Sequence, residues 1–305
     1  MLFIKQLLLT TDLTSKQANR YSTACISTSR PIYLVFGENS DHPEYVIRKL
    51  DSSNDFHSNQ IHNKLYQLVG NIVPEPVGIY EYSGQKYDVQ RGVQGSPWFQ
   101  IKSRYRTNTT QQHIEERMWK TLNEFHERTC IKGDSSIKAG FLQPHKELHQ
   151  ALLGYKSTGE TLTNEIEDLV SKAINDLSKI QDCSSIPQHG DFCLNNLIID
   201  SSHITVIDFE DYSITTMPMY DHFTLALSLP SLGDKPLNAS KVFKQKHLID
   251  AAKYLGIPSE VIKWHFLHHL LLRLGPWSTG EKRMSYRTWL KQVLDSFVSG
   301  EKNKN

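Results

Sequence analysis

The segment HGDFCLNNLIID, residues 189–200, changes from polar to aliphatic halfway along its length. Its first half places Asp191 in a short polar turn, and its second half, after Asn196, is an aliphatic run typical of a strand. A similar run, ITVIDF at residues 204–209, follows after a second polar turn. The two runs predict a β-hairpin, with Asp191, Asn196 and Asp208 converging at one end.

Two carboxylates and an amide at one end of a hairpin require a cation, because carboxylates held close together repel each other. Oxygen donors of this kind, few in number, suit Mg²⁺, which keeps several waters and commonly arrives with substrate phosphates. A lone Asp or Asn in a turn is usually only turn chemistry, since its side chain bonds its own backbone. The set as a whole, at this spacing and on this hairpin, favours a phosphate-handling site.

The same residues carry a resemblance to a known family. HGDFCLNN followed by VIDFED resembles the catalytic and metal loops of the aminoglycoside phosphotransferase and choline kinase family, small-molecule relatives of protein kinases. The family pattern HGDxxxxN is matched at His189, Gly190, Asp191 and Asn196. The resemblance implies ATP and Mg²⁺ as cofactors, Asp191 directed at an acceptor hydroxyl, and Asn196 and Asp208 on the metal.

Neighbouring residues extend the resemblance. PMYD, ending at Asp221, resembles the family's structural aspartate motif, which implies that Asp221 braces the catalytic loop. His189 is expected to pack and hydrogen-bond within that loop, because Asp191 already faces the hydroxyl. Glu210 resembles the choline kinase form DFE, and two roles stay open for it: contact with a metal or the acceptor, or solvation at the surface.

The pattern of predicted elements divides the chain in two. Short apolar strands, a helix near residues 60–69 and polar turns before Gly95 predict a small α+β lobe. Helical periodicity dominates afterwards, at residues 111–126, 161–180, 241–255, 259–274 and 284–298. With the resemblance, this predicts an α+β, bilobal protein-kinase-like fold. Residues 1–95 would form the β-rich nucleotide-binding lobe, and residues 96–305 the larger, mostly helical catalytic and acceptor-binding lobe with the hairpin inserted.

The nucleotide site is expected in the first lobe. STSRPIYLV resembles the family's nucleotide loop, which implies that Ser27, Thr28 and Ser29 lie near phosphate oxygens. VQRGVQG is the expected hinge, where backbone groups from Arg91 to Val93 would meet adenine.

A cation for the phosphates is expected from the strand YVIRKL. The family's lysine aligns with Arg48, whose guanidinium can grip two phosphate oxygens. A shift of the strand register by one residue would place Lys49, in place of Arg48, near the phosphates, although strand alternation favours Arg48. The glutamate that usually pairs with this cation is missing, because residues 56–70 contain no acid and Gln60 is the nearest polar candidate. This departure keeps open an alternative, a catalytically degenerate kinase-like protein that only binds nucleotide or ligand.

The length of one segment and the charge of another limit the kinds of acceptor substrate that are expected. Only nine residues, 211–219, separate Glu210 from the YD pair, which leaves no room for the activation segment of a protein kinase. A small-molecule hydroxyl is therefore expected, on a sugar, sugar derivative or amino alcohol. Residues 256–305 carry eight Lys and Arg against four Asp and Glu, which favours neutral or anionic acceptors over a polycationic antibiotic.

The segment WHFLHHLLLRLGPW, residues 264–277, is rich in histidine and tryptophan. Its three histidines lack an acid or cysteine partner, so packing or surface positions are expected in place of a metal site. Trp264 is expected in the core, whereas Trp277 is left open between stacking on a sugar ring and filling the core.

Composition excludes other classes. The 305-residue chain has a formal net charge of +1, which gives no general electrostatic reason to bind nucleic acid or an anionic membrane. Its four cysteines are scattered without a CxxC pair, which favours a reducing cytoplasm. The opening MLFIKQLLLT, interrupted by Lys5, is expected to be an amphipathic helix packed on the body. No stretch approaches the roughly 20 apolar residues of a membrane span.

Overall fold

The computed structural model describes residues 2–10, 13, 21–26, 31–101, 108–131, 141–180 and 183–303. Contacts group these residues into two units: a first unit drawn from residues 1–132 and 194–211, and a second drawn from residues 133–193 and 212–305. The division of labour expected at residue 95, with nucleotide binding before it and catalysis after it, stays a prediction.

Each unit contains both helices and strands. The helices are α1 Leu2–Thr10, α2 Ser53–Val69, α3 Trp98–Ile101, α4 Asn108–Ile131, α5 Pro144–Lys156, α6 Asn164–Leu177, α7 Tyr220–Ser228, α8 Pro236–Ala239, α9 Lys246–Tyr254, α10 Ile262–Leu274 and α11 Met284–Lys302. The strands are β1 Ser22–Cys25, β2 Ile32–Phe36, β3 Tyr45–Leu50, β4 Pro76–Tyr82, β5 Gln85–Arg91, β6 Ser96–Pro97, β7 Phe141–Leu142, β8 Cys183–Ser184, β9 Leu197–Ile199 and β10 Ile204–Val206.

The first unit is built on a five-stranded antiparallel sheet in the order β1-β2-β3-β5-β4. The sequence predicts β2 to β5 correctly, whereas β1 consists of small and polar residues that carry no strand pattern. Because β4 and β5 form a hairpin, β5 folds back between β4 and β3. This order sets Arg48 of β3 directly opposite Asp88 of β5.

Helix α1 packs on one face of this sheet. Its residues Ile4, Leu7 and Leu8 are fully buried and join Ile47 of β3 in one apolar cluster. Each such side chain contributes about 1.5–3 kcal/mol on burial. The amphipathic helix expected at the start of the chain is therefore confirmed. Since successive strand residues point to opposite faces, Arg48 points away from this cluster.

Helix α2 begins earlier than its apolar periodicity predicts. A capping box sets its start: the Ser52 hydroxyl accepts from the Asp55 N–H at 3.3 Å, and the Asp55 carboxylate accepts from the Ser52 N–H at 2.9 Å. These bonds satisfy backbone groups that the first turn of a helix leaves unpaired. The earlier start adds a polar turn and brings Asn59 well inside the helix.

The predicted hairpin is confirmed in the first unit. β9 and β10 are antiparallel, with Leu197 opposite Val206 and Ile199 opposite Ile204. β6 pairs with the other edge of β9, so the ribbon becomes a three-stranded sheet. Both edges of β9 are thus paired with neighbouring strands.

The second unit is mostly helical and centres on α10. Eleven of the 13 residues of α10 are buried, as is typical of a helix surrounded by other elements. The predicted helices at residues 161–180, 259–274 and 284–298 correspond to α6, α10 and α11. The sequence interpretation missed α5, although Leu148, Ala151, Leu152 and Tyr155 give it a buried stripe at helical spacing.

The three histidines of α10 lie in this core. His265, His268 and His269 are 1%, 2% and 0% exposed, and the rings of His268 and His269 pack against Tyr220. Trp264 is likewise buried, at 1% exposure. The histidines therefore serve as core residues in this fold.

These buried rings predict a loss of stability in acid. Burial lowers the pKa of His265 to about 4 and that of His268 to about 3, the latter also through repulsion from His265. Below the ordinary histidine pKa of about 6.5, the unfolded chain takes up protons that the folded chain refuses. The free energy of unfolding is therefore expected to have its full value, with respect to these histidines, above about pH 6.5. It should fall as the pH drops toward 4, by up to about 1.4 kcal/mol per pH unit for each ring.

Urea unfolding at a series of pH values measures this effect. His268→Gln, which removes a titrating ring and keeps a polar side chain, is expected to flatten the acid slope of stability. The matched control is His149→Gln on the exposed surface of α5, which should leave the slope as it is. Equal acid slopes in wild type and His268→Gln would contradict the assignment.

In the described part of the chain, no helix combines the length and the apolar character needed to cross a membrane. No disulfide joins the four cysteines, all of which lie in the described residues.

Candidate functional site

The end of the hairpin brings two of the predicted site residues together. Asn196 directly precedes β9, and Asp208 follows β10 by two residues. The Ile207 N–H donates to the carbonyl of Asn196 at 3.0 Å, so the two arms of the hairpin are still paired at this point. Asn196 and Asp208 therefore lie at the same end of the hairpin. Asp191 belongs to the second unit and is described with it.

Asp208 adopts a backbone conformation that few residues tolerate. Its φ of 68° lies in the left-handed region, where Asp and Asn are enriched among residues other than glycine. The next residue, Phe209, is 5% exposed and stacks on His62 of α2 with 5.3 Å between ring centroids. Phe209 thus anchors the loop, while Asp208 stays exposed. Backbone strain of this kind is concentrated at functional sites.

Arg48 of β3 is held by a buried carboxylate on the neighbouring strand. Its Nη2 donates to Oδ2 of Asp88 at 3.2 Å, and Asn59 of α2 donates through Nδ2 to Oδ1 of Asp88 at 2.7 Å. Asp88 is only 3% exposed, so this charge-assisted bond is shielded from water. Within α2, Asp55 is used in the capping box, so the acidic partner of Arg48 comes from Asp88 of β5, and α2 contributes the Asn59 amide instead. Sequence reasoning missed both Asp88 and Asn59.

The other side of Arg48 faces the end of the hairpin. Its Nη1 lies 3.9 Å from Oε1 of Glu210, two residues beyond Asp208. Lys49 instead pairs with Asp51 at 2.7 Å. Of the two cations considered for the phosphates, Arg48 is the one that reaches the loop carrying Asp208.

The expected hinge begins where β5 ends. The Arg91 N–H donates to the carbonyl of Glu75 at 2.8 Å, which keeps it bound to the chain entering β4. At Gly92, an added Cβ would lie 1.8 Å from the carbonyl oxygen of Pro43, so this close approach of two backbones requires glycine. Val93 follows directly. Ser27, Thr28 and Ser29, the residues expected near the phosphates, lie outside the described residues.

In the second unit, Asp221 holds the loop that carries Asp191. Its carboxylate is fully buried and accepts two main-chain bonds, from the His189 N–H at 2.6 Å and from the Gly190 N–H at 3.0 Å. Gly190 has a φ of 88°, which lets both N–H groups turn toward one carboxylate. His189 is also fully buried, and its Nδ1 accepts from the Asp191 N–H at 3.2 Å. These are the contacts expected of residues that shape a loop.

The Asp191 side chain is bound by a residue that no motif marks. Oδ1 of Asp191 accepts from Nη2 of Arg273, on α10, at 2.7 Å. Arg273 is 1% exposed, and the Asp191 side chain is 24% exposed. The ion pair thus joins a buried cation to a carboxylate that still reaches solvent. Sequence reasoning missed Arg273 because its partner lies 82 residues earlier in the chain.

Each unit therefore offers a distinct chemistry. The first unit holds an arginine suited to phosphate oxygens beside a loop with an amide and a carboxylate, which are oxygen donors that suit Mg²⁺. The second unit presents a partly exposed carboxylate, that of Asp191, which can accept a proton from a hydroxyl. Within the described residues, no three His, Cys, Asp or Glu side chains form a metal cluster. A metal at the hairpin would therefore rely on the Asp208 carboxylate, the Asn196 amide and oxygens from elsewhere, as Mg²⁺ sites commonly do.

Comparison with solved structures shows the fold. The GDP and kanamycin complex of APH(2")-IIia is 15% identical, with a TM-score of 0.58 and 100% of both chains covered. Macrolide 2'-phosphotransferase MphH from Brachybacterium faecium is 11% identical, with a TM-score of 0.59 and 95% of this chain and 97% of that chain covered. An ethanolamine kinase from Plasmodium vivax is 16% identical, with a TM-score of 0.50 and 97% of this chain and 87% of that chain covered. The predicted α+β, protein-kinase-like fold class is confirmed.

Sequence comparison gives the family. No curated protein sequence matches the chain significantly. The model of the phosphotransferase enzyme family (APH) matches residues 36–243, more than half of the 305 residues. This range contains β3 with Arg48, the Asp191 loop and the whole hairpin, and the resemblance to aminoglycoside phosphotransferases and choline kinases is confirmed. The chain therefore belongs to the phosphotransferase enzyme family and is an enzyme of the kinase type.

Proposed function

We propose that this enzyme transfers the γ-phosphoryl group of ATP to a hydroxyl group of a small molecule. The observation that carries the proposal is the position of Arg48, tied to Asp88 and 3.9 Å from Glu210 in the loop that follows Asp208. A cation for phosphate oxygens beside oxygen donors for a metal suits a nucleoside triphosphate bound with its metal. Similar folds named for aminoglycoside, macrolide and ethanolamine acceptors support a small hydroxyl compound as the second substrate.

In the proposed reaction, Asp191 acts on the acceptor. Its carboxylate orients the acceptor hydroxyl and takes the proton as the oxygen bonds to the γ-phosphorus. The bond from that phosphorus to the bridging oxygen breaks, and ADP leaves with the electron pair. Asp221 and His189 support this step indirectly, since their hydrogen bonds shape the loop that carries Asp191.

The nucleotide is assigned to residues of the first unit. Arg48 would hold phosphate oxygens, backbone groups of Arg91 and Val93 would meet adenine, and Asn196 and Asp208 would hold Mg²⁺. A bound Mg²⁺ would neutralise negative charge on the phosphates. The hydroxyl-rich residues of the expected phosphate loop complete this assignment: Ser27, Thr28 and Ser29. A cytoplasmic location, expected from the cysteine pattern, belongs to the same proposal.

The acceptor proposed is a sugar, sugar derivative or amino alcohol, neutral or anionic in preference to polycationic. The support is the excess of Lys and Arg over Asp and Glu in residues 256–305. Asp88 also weakens the case for a protein that binds nucleotide without turnover. That case depends on the missing helix acid, and Asp88 supplies an acidic partner to Arg48 from another element.

Asp88→Asn tests the assignment of Arg48. Without the carboxylate, the guanidinium loses the charge that fixes its direction, and the KM for ATP is expected to rise about tenfold, which corresponds to ~1.4 kcal/mol. The matched control is Asp51→Asn, which breaks the exposed pair with Lys49 and should leave the KM unchanged. A rise in KM for Asp51→Asn alone would show that Lys49 is the phosphate ligand.

The function itself is tested in two steps with the purified chain. Mg-ATP is expected to raise the melting temperature, and ATP consumption is then measured across sugars, sugar derivatives and amino alcohols. An unbiased metabolite mixture, followed for the mass gain of one phosphoryl group, would identify the acceptor. Stabilisation by Mg-ATP without turnover on any compound would favour the degenerate, binding-only alternative.

A further inference from the structure

Arg273 is a fully buried cation in an unusual environment. Its Nη2 donates to Oδ1 of Asp191 at 2.7 Å and to the Thr224 hydroxyl at 3.3 Å. Within the described residues, its Nε and Nη1 are buried and make no hydrogen bond. Removing an arginine from water costs several kcal/mol, so a buried arginine has to be compensated by its surroundings. Asp191 supplies the compensating negative charge.

Aromatic rings hold the guanidinium in place. Its Cζ lies 4.0 Å from the centre of the Trp277 ring and 5.4 Å from that of Tyr220. A planar guanidinium stacks on ring faces in a way that an ammonium group cannot. Trp277 is also covered by Arg283, whose Cζ is 3.8 Å from the ring centre. Arg273 therefore has little freedom to move, and neither does a carboxylate bonded to it.

The groups around this pair are either kept neutral by burial or bound to other partners. Burial raises the pKa of Tyr220 well above its ordinary value, and it raises the pKa of Tyr286 to about 12, so both phenols stay neutral. Asp221 accepts from the two backbone N–H groups of the loop. His189 accepts from the Asp191 N–H, which requires the tautomer protonated on Nε2. Burial also lowers the pKa of His269 well below its ordinary value, and the thiol of Cys193 lies in the same electrostatic neighbourhood.

We propose that Arg273 is the positioning residue for Asp191, holding its carboxylate in one orientation for the acceptor hydroxyl. The inference rests on the proposed function. It adds to that function a role for Arg273, a residue that lies outside the sequence motifs described above. Arg273 acts through Asp191, so its loss should impair the step at the hydroxyl and spare the binding of ATP.

Two variants test the role in the purified chain. Arg273→Met removes the charge and keeps much of the side-chain volume, and kcat is expected to fall about 100-fold, the cost of a misplaced catalytic group. The KM for ATP should stay unchanged. The split between a lowered kcat and an unchanged KM is what a positioning role predicts. Arg273→Lys should recover part of kcat, since it keeps the charge without the stacking.

Arg287→Met is the matched control. Arg287 is 4% exposed and bonds the Gly275 carbonyl and the Ser278 hydroxyl, together with Thr158 and Glu160. Its loss should lower the melting temperature and leave kcat near the wild-type value. Wild-type kcat in Arg273→Met would overturn the proposal. An equal fall of kcat in Arg287→Met would also overturn it, because the effect would then be general loosening.

A second measurement separates this inference from the proposed function. The melting temperatures of Asp191→Ala, Arg273→Met and the double variant form a cycle that needs no substrate. The double variant is expected to lose less than the sum of the two single losses, because it leaves no buried charge alone. If no acceptor is found but the cycle is non-additive, the proposed function fails while the ion pair stands. Additive losses would overturn the inference even in an active enzyme.

Discussion

Replacement of Asp191 by alanine is expected to lower the rate of phosphoryl transfer by about 10²–10⁴-fold, the range contributed by a positioned proton acceptor. The hydroxyl would then lose the group that orients it and takes its proton. Binding of Mg-ATP should stay near normal, because Arg48, Asn196 and Asp208 belong to the first unit and Asp191 to the second. Steady-state rates and equilibrium binding of Mg-ATP, measured on the same preparation, check both parts.

The same replacement is expected to weaken the fold. Arg273 would remain in the core at 1% exposure without its carboxylate, and breaking such a pair costs about 3–5 kcal/mol in the free energy of unfolding. Urea denaturation measures the loss. Asp250→Ala, on the exposed side of α9, is the control and should change neither stability nor rate. Retained turnover in Asp191→Ala would contradict the role of this residue.

Replacement of Asp208 by asparagine is expected to remove the metal-binding carboxylate while keeping the backbone. Asparagine tolerates the left-handed φ of 68° that alanine would strain, so loss of charge is the main change. Turnover should fall by at least about 100-fold, and more Mg²⁺ should be needed for half-maximal rate. Binding of Mg-ATP should weaken as well, which distinguishes this variant from Asp191→Ala. Titration of Mg²⁺ at saturating ATP measures the change.

Asp200→Asn is the matched control on the same hairpin. Asp200 lies at the opposite end, where its carboxylate accepts from the Ser202 N–H at 2.6 Å and from the His203 N–H. Its replacement should loosen the turn and leave the Mg²⁺ requirement unchanged. Equal Mg²⁺ requirements in wild type and Asp208→Asn would remove Asp208 from the proposed metal site.

Features set by short-range sequence patterns could be predicted. The hairpin follows from two aliphatic runs separated by a polar turn, and its pairing places Asn196 beside Ile207 at the end that carries Asp208. Alternation along β3 likewise separates Ile47 in the core from Arg48 on the other face. The start of α2 was harder, because a polar capping box at Ser52 extends the helix beyond its apolar stripe.

The partners of the site residues could not be predicted, because they depend on tertiary structure. Asp88 meets Arg48 only because β5 lies between β3 and β4, and the two residues are 40 positions apart. The acidic partner of Arg48 therefore lies on a strand and not in the helix that follows β3. Arg273 sits in an apolar helix pattern where nothing marks it as the partner of Asp191. The role of its buried charge follows only from the contact between α10 and the loop that carries Asp191 in the folded structure.

The fate of the terminal phosphate of ATP decides whether the chain is a phosphotransferase. ATP labelled on the γ-phosphate is incubated with Mg²⁺, a mixture of small hydroxyl compounds and either the wild-type chain or Asp191→Ala. The wild type is expected to place the label on a hydroxyl compound and to form an equal amount of ADP, while Asp191→Ala transfers almost none. Bound ATP whose label never reaches any acceptor in the wild type would contradict phosphoryl transfer by this chain.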